Sequence, residues 1–285
     1  MKFNKQTAEI YVPDNAPTAD ALARTTHLGI GAHQDDLEFM ALHGILECFQ
    51  SADKWFSGVV VTDGRGSSRT GLYADYSDDQ MCQVRRAEQR KAAHVGEYGA
   101  MVSLDYPSTE LKSGFPRPLV EDFKSILSAT CPRFIYTHNP ADKHDTHLAV
   151  LIPLIEALRE MPPGDLPEAV YGCEVWRNLD WMRDEDKTIF DVSHRESLSL
   201  SLMGVFDSQI SGGKRYDLAT YGRMKANATY LASHHSDKAG LMSYAMNLTP
   251  LAHDPSLDVA AYVDGLIQKF ACDVSDRINK YSKKG

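Results

Sequence analysis

The sequence predicts an α/β fold built on a mainly parallel sheet with helices on both faces, followed by C-terminal strands and helices. Apolar runs of strand length alternate with longer stretches of helical period. That alternation repeats in the order βαβαβαβα over the first part of the chain, the signature of linked βαβ units. The composition agrees, since 285 residues with 43% hydrophobic and 24% charged side chains suit a globular protein able to bury a sizeable core.

Taken in order, "HLGIGAH" (27–33) reads as a buried strand and "DLEFMALHGILECFQ" as a helix with Leu37, Met40, Ala41, Ile45 and Cys48 along one side. "WFSGVVVTDG" (55–64) is the next strand. The Gly- and Ser-rich segment "GRGSSRTGLYADYSDD" is a surface loop of unusual length, of the kind that often carries function, and is expected to cover a substrate. Ser77 and Gln80 have the spacing of a capping box, which opens a long helix ending at the glycines near "EYG". "AMVSLDY" is a third strand, "PLVEDFKSILSAT" a helix and "RFIYTH" (133–138) a fourth strand. After the loop "NPADKHD", the helix "THLAVLIPLIEALREM" runs to the break at "PPGD". Beyond residue 165 come two shorter strands, "EAVYGCEVW" and "KTIFDVS", and then mostly helical material up to a lysine-rich tail. No long Pro/Ser linker interrupts the chain. Residues 1–285 are therefore read as a single domain, with a core at about 26–165 and an extension at 166–285 packed on it.

The charge balance narrows the partners. Thirty basic against 39 acidic residues give a net charge of −9, which repels a phosphate backbone, and no basic cluster offsets it. Nucleic acid is excluded as a partner on this ground. No apolar run approaches the roughly 20 residues that span a bilayer. The first residues also lack the apolar core of a secretory signal, so a cytoplasmic location is the default expectation. Five scattered cysteines without a CxxC pair argue against a disulfide framework and against a cysteine-built zinc site, and are read as mostly core thiols.

In an open parallel sheet, ligands bind beyond the carboxyl ends of the strands. His33, Asp35 and Asp36 fall at the end of the first strand and Asp63 at the end of the second. His138, Asp142, His144 and His147 fall at the end of the fourth. Two histidines and a carboxylate form a common catalytic donor set that leaves a coordination position open, and His33, Asp36 and His147 can supply it. The same donors accept zinc, iron or cobalt. Asp35 is then free to act as general base toward a metal-activated water, and His144 to hold a developing oxyanion or protonate a leaving nitrogen. A lone HxxD turn is more often surface decoration, so the pairing with a second HxxH loop carries the assignment.

Other features are given simpler readings. His27, His43, His94 and His253 are isolated and expected to be packed or exposed without function, and His234 with His235 is a weaker second metal candidate. Arg85 and Glu88, one turn apart, are read first as a surface ion pair, with substrate binding as the lesser alternative. "GRGSSRTG" has neither the lysine of a phosphate loop nor the GxGxxG pattern, and no GxSxG signals a serine nucleophile.

These residues together resemble a known family. "AHQDDLE", Ala32 to Glu38, is similar to the AHPDDE motif of the PIG-L (LmbE-like) de-N-acetylases, and "DKHDTH", Asp142 to His147, to their second motif, usually D-x-H-P-D-H. "VVVTDGRGS" resembles the family's strand ending in T-x-G-E, and "QVRRAEQRKAAHVGEYG" its R-x-x-E helix, with a fainter likeness at "DSQ" (207–209). The resemblance implies a Rossmann-like fold and a zinc-dependent hydrolase that removes the N-acetyl group from an N-acetylglucosamine-type sugar or its conjugate. It implies His33, Asp36 and His147 as zinc ligands, Asp35 as base and His144 as electrostatic helper. Asp63, Arg65, Arg69 and Arg85 become candidates for contacts to a small N-acetylated amino sugar or glycoside.

Three departures from the family pattern stand out. Gln34 replaces the usual proline and is expected to loosen the turn. Asp145 and Thr146 stand where Pro and Asp are common, so the work of that aspartate passes to Asp145 or Asp142, or is absent. Arg65 stands where Glu is frequent. The competing readings are an amidase that cuts another acyl group or a thiol conjugate, and a non-catalytic sugar- or nucleotide-binding Rossmann module. The C-terminal helices either cover the sheet or face another copy of the chain in a homo-oligomer.

Overall fold

Eight strands form one sheet in the computed structural model, which describes residues 1–282; Lys283 and Lys284 of the lysine-rich tail lie outside the described residues. The strands are β1 (Glu9–Tyr11), β2 (His27–Gly31), β3 (Phe56–Thr62), β4 (Ala100–Tyr106), β5 (Phe134–His138), β6 (Ala169–Cys173), β7 (Lys187–Asp191) and β8 (Met242–Asn247). Their spatial order is β1-β4-β3-β2-β5-β6-β8-β7. The five central strands β4, β3, β2, β5 and β6 pair in parallel, and β1, β8 and β7 add antiparallel edges. Fully buried residues along β2, β3 and β4 are what a parallel sheet covered on both faces requires.

Twelve helices accompany the sheet among the described residues. They are α1 (Thr18–Ala23), α2 (Asp36–Met40), α3 (Leu42–Cys48), α4 (Asp78–Val95), α5 (Ser108–Lys112), α6 (Arg117–Thr130), α7 (Asp145–Arg159), α8 (Glu196–Gly204), α9 (Asp207–Ile210), α10 (Tyr216–Tyr230), α11 (Thr249–His253) and α12 (Val259–Ser282). One apolar cluster joins Leu119, Phe123, Leu151, Leu154 and Leu251, from α6, α7 and α11, to one face of the sheet. The other joins Leu37, Met40, Ile45, Leu202 and Met224, from α2, α3, α8 and α10, to the opposite face. This is the expected mainly parallel α/β architecture. Among the described residues, no helix is long and apolar enough to cross a membrane.

Three local expectations change. The helix after β2 breaks at Ala41, which has φ −101 and ψ 16, giving α2 and α3 instead of one continuous element. The segment 242–247, expected to be helical, is strand β8: its five buried residues fill the gap between β6 and β7, and that environment overrides the weak strand preference of "MSYAMN". Strand β1 has only three half-buried residues, too few to carry a periodic signal. β6, β8 and β7 all come from the C-terminal part, which therefore continues the sheet and packs helices on it.

The chain runs β2, β3, β4 toward one edge and then returns to place β5 beside β2. The order of strands thus reverses between β2 and β5, and the crevice beyond their carboxyl ends is where such a sheet receives a ligand.

Candidate metal centre

Both motif loops open into that crevice. Strand β2 ends at Gly31, where an added Cβ would stand 2.9 Å from Cβ of Asp36, so the turn can fold back on the strand only with glycine there. The His33 amide donates to Asp36 Oδ2 at 2.6 Å. Asp35 takes a left-handed conformation, φ 97, a strain of roughly 1–3 kcal/mol for a non-glycine residue that is common where a side chain must be aimed at a site. Gln34 does not loosen the turn. It is buried, its amide nitrogen donates to the Thr62 carbonyl at 2.8 Å, and its own carbonyl accepts from Arg85. The side chain replaces a proline's stiffness with a tie between the turn and β3.

From the other side, β5 leads through residues 139–144 into the first turn of α7, where His147 is buried. Its Nδ1 lies 2.9 Å from Asp142 Oδ2, so the Nδ1 hydrogen is donated to that carboxylate and the Nε2 lone pair points into the crevice. Nε2 meets His33 Nδ1 at 3.3 Å and Asp36 Oδ1 at 3.5 Å, and His33 Nδ1 lies 3.3 Å from Asp36 Oδ2. A tetrahedral ion with bonds of about 2.1 Å sets its ligand atoms about 3.4 Å apart. The three predicted ligands therefore come together at close to the spacing a divalent ion needs, with His147 and His33 each nearest a different oxygen of Asp36.

Other donor combinations are available on geometry: His33 with His144 and His147, or Asp36 with His138 and His147. His138 is committed elsewhere, because its Nε2 accepts the Ala32 amide at 2.9 Å; it stacks on His147 with ring centroids 3.7 Å apart. His144 flanks the set, 4.9 Å from the His33 ring and 4.6 Å from that of His147. Burial, then the His33 imidazole, lowers its proton affinity. Of Asp142 and Asp145, only Asp142 contacts the donor set: it is buried, holds His147, and accepts from the Trp176 and Arg177 amides, whereas Asp145 is exposed.

Burial also dominates the carboxylates. It pushes Asp35 up to about 7, against the pull of Arg85 and with a further push from Asp36. Burial opposes the ionisation of Asp36 too, but the imidazoles of His147 and His138 outweigh it and hold the group well below the usual carboxylate range. Arg85 and Glu88 are not the surface pair expected from their spacing, being 2% and 5% exposed. Arg85 reaches Asp35 at 3.3 Å and Glu88 at 3.7 Å, while Glu88 accepts from the Ser208 amide and hydroxyl, both at 2.7 Å. Behind Asp35, Gln89 accepts its amide at 3.2 Å and donates to Glu38 at 2.8 Å.

The crevice widens into a cavity of about 630 Å³. Asp63 and Arg85 line it, whereas Arg65 and Arg69 turn away to the acidic start of α4, pairing with Asp79 and Asp78. The covering loop contributes Gly64, Gly66, Ser67 and Ser68, and it docks on α9 through the Tyr73 hydroxyl, which donates to Asp207 at 2.6 Å. The opposite wall was not foreseen. Trp176, Lys214, Tyr216 and Arg223 come from the C-terminal part, and Trp176 meets Tyr216 edge to face at 5.7 Å. No motif marks them, and only the two aromatic residues beside cations offered a signal. His234 and His235 are exposed and join no possible metal group among the described residues.

This geometry defines an α/β protein with a cluster of histidine and aspartate donors that could hold a metal ion at the switch point of its sheet. Residues 28–157 match the family model described as PIG-L, GlcNAc-PI de-N-acetylase. Among solved structures, the 4-carboxy-2-hydroxymuconate hydratase GalB from Pseudomonas putida is 16% identical with a TM-score of 0.60, covering 79% of this chain and 96% of that one. The N,N'-diacetylchitobiose deacetylase from Pyrococcus horikoshii is 18% identical with a TM-score of 0.59, covering 78% and 84%. A conserved protein from Thermus thermophilus is 15% identical with a TM-score of 0.59, covering 82% and 99%. At such identities the likeness is one of fold, and the fold serves more than one reaction. No curated protein sequence matches the chain.

Proposed function

We propose that the chain is a divalent-metal-dependent de-N-acetylase that hydrolyses the acetamide of an N-acetylglucosamine-type sugar or its conjugate. The observation that carries this reading is the His147 Nε2 lone pair, fixed by Asp142 and facing His33 and Asp36 at 3.3 and 3.5 Å, with Asp35 left over beside them. The PIG-L match over the same residues supports it. A divalent ion on this donor set, for which zinc is the first candidate, polarises an acyl oxygen and makes water a stronger acid.

The chain's own groups do the rest. Asp35, with a proton affinity near neutrality, takes a proton from the attacking water, and Arg85 holds the carboxylate in place at 3.3 Å. His144 stands at the mouth of the donor set, where it passes a proton to the departing nitrogen and steadies the oxyanion. Trp176 and Tyr216 offer an aromatic wall for the sugar ring. Acetate and the free amino sugar leave.

The test is acetate release over a panel of N-acetylated sugars with metal content measured in parallel. Asp35→Asn keeps the metal and loses at least about 100-fold in kcat, and His33→Ala loses both. Full turnover in the Asp35 variant, or a protein that takes up no stoichiometric metal, removes the reading; the latter is what a sugar-binding module predicts.

A further inference from the structure

The cavity carries a charge pattern opposite to that of the chain. The whole protein bears a net charge of −9, yet the wall presents Lys112, Lys214, Arg215 and Arg223 in addition to Arg85, against the carboxylates of Asp35, Asp36 and Asp63. All three carboxylates are committed: Asp36 to the ligand imidazoles, Asp35 to Arg85, and Asp63 to Arg65 at 3.1 Å. The cations are less so. Arg215 pairs with Asp217 at 2.8 Å, but Lys112, Lys214 and Arg223 form no ion pair with any described carboxylate. Arg223 donates one nitrogen to the Val175 carbonyl, and Lys214 stands 5.5 Å over the Trp176 ring. A metal ion would add further positive charge. Unpaired cations in a concave, partly desolvated wall are where an anionic ligand gains most.

We propose that the substrate carries an oxyanion, a carboxylate or a phosphate, on the part remote from its acetamide, and that Lys214 and Arg223 receive it. Lys214 immediately precedes α10, Tyr216 opens it and Arg223 lies two turns further along on the same side, so a ring lying on Trp176 and Tyr216 has Lys214 at one end and Arg223 toward the other, all lining one cavity. Lys112, at the end of α5, reinforces the field within the same cavity. The identity of the reacting group rests on the de-N-acetylase reading, whereas binding of the anion does not.

The experiment compares N-acetylglucosamine, N-acetylglucosamine 1-phosphate and the carboxymethyl glycoside of N-acetylglucosamine, using the full chain, its Lys214→Gln and Arg223→Gln variants, and Lys225→Gln as an exposed control outside the cavity. KM and kcat are measured on the metal-loaded protein and direct binding by calorimetry on the metal-free protein. At least one charged sugar is expected to bind at least about tenfold more tightly than the neutral one, as one charge-assisted hydrogen bond allows. The phosphate and carboxylate arms tell which oxyanion is preferred. Each cavity variant narrows that preference about tenfold, raised salt narrows it too, and Lys225→Gln leaves it intact. Equal binding of charged and neutral sugars, or a preference untouched by both cavity variants, overturns the proposal. Charge-selective binding with no acetate from any of the three leaves the anion site standing and removes the deacetylase reading, and acetate release without charge preference does the reverse.

Discussion

Asp142 shows how one carboxylate decides what a histidine can do. By accepting the Nδ1 hydrogen of His147, it leaves Nε2 free as a donor to a metal; burial, then the neighbouring His138, lowers that imidazole's value to about 4, so it stays neutral at working pH. Asp142→Ala is therefore expected to weaken metal binding about 10- to 100-fold, measured as the zinc dissociation constant by competition with a chelator. Unchanged affinity would show that His147 keeps its orientation without the carboxylate. The proximity of His33, Asp35, Asp36 and His147 was legible in the sequence because all four stand just beyond the carboxyl ends of two strands of one parallel sheet. Burial was not legible: Arg85 and Glu88 have the spacing of a surface ion pair and of a buried one alike, and only the packing of α9 against α4 separates the two.

At the scale of elements, α4 links the two halves of the site. Its start is closed by the reciprocal Ser77 and Gln80 capping box, and Ser77→Ala is expected to cost about 1 kcal/mol in unfolding free energy without altering metal content. Its middle is tied to α9 by Glu88, whose loss leaves the Arg85 guanidinium short of a partner and two Ser208 donors unmet. Glu88→Ala is expected to cost about 3 kcal/mol in urea denaturation and to lower kcat by misplacing Asp35 through Arg85. A loss of stability with normal turnover would show that α9 only braces the fold. The capping box and most helices could be read in advance, because caps and 3.6-residue periodicity are local. Strand β8 could not, since its methionines and alanine favour a strand only once β6 and β7 flank them.

For the whole molecule, two consequences follow from a sheet shared between the N-terminal and C-terminal parts. A fragment ending at residue 165 lacks β6, β8 and β7 and bares β5 as an edge, so it is expected to be aggregated or unfolded by circular dichroism and size exclusion, and the full chain to unfold in one transition. Two separate transitions would point to independent units. Stability is also expected to fall with acid. Burial first of all holds His27 and His43 at about 4 against an ordinary value of 6.5. The unfolded chain therefore binds their protons first; their contribution is complete above pH 6.5 and is lost as pH drops from 6.5 toward 4. Midpoints of thermal unfolding across that range check this, and His43→Gln flattens the fall.

What the sequence by itself determined is local: the alternation of strands and helices, the caps, and two donor clusters at strand ends, all of which depend on residues near one another in the chain. What only the tertiary structure decided is which of those clusters face each other, that Asp142 orients His147, and that Trp176, Lys214, Tyr216 and Arg223 close the far wall. Those relations join residues up to a hundred or more positions apart, and contact at that separation is set by how the sheet is ordered and packed, which no local pattern encodes.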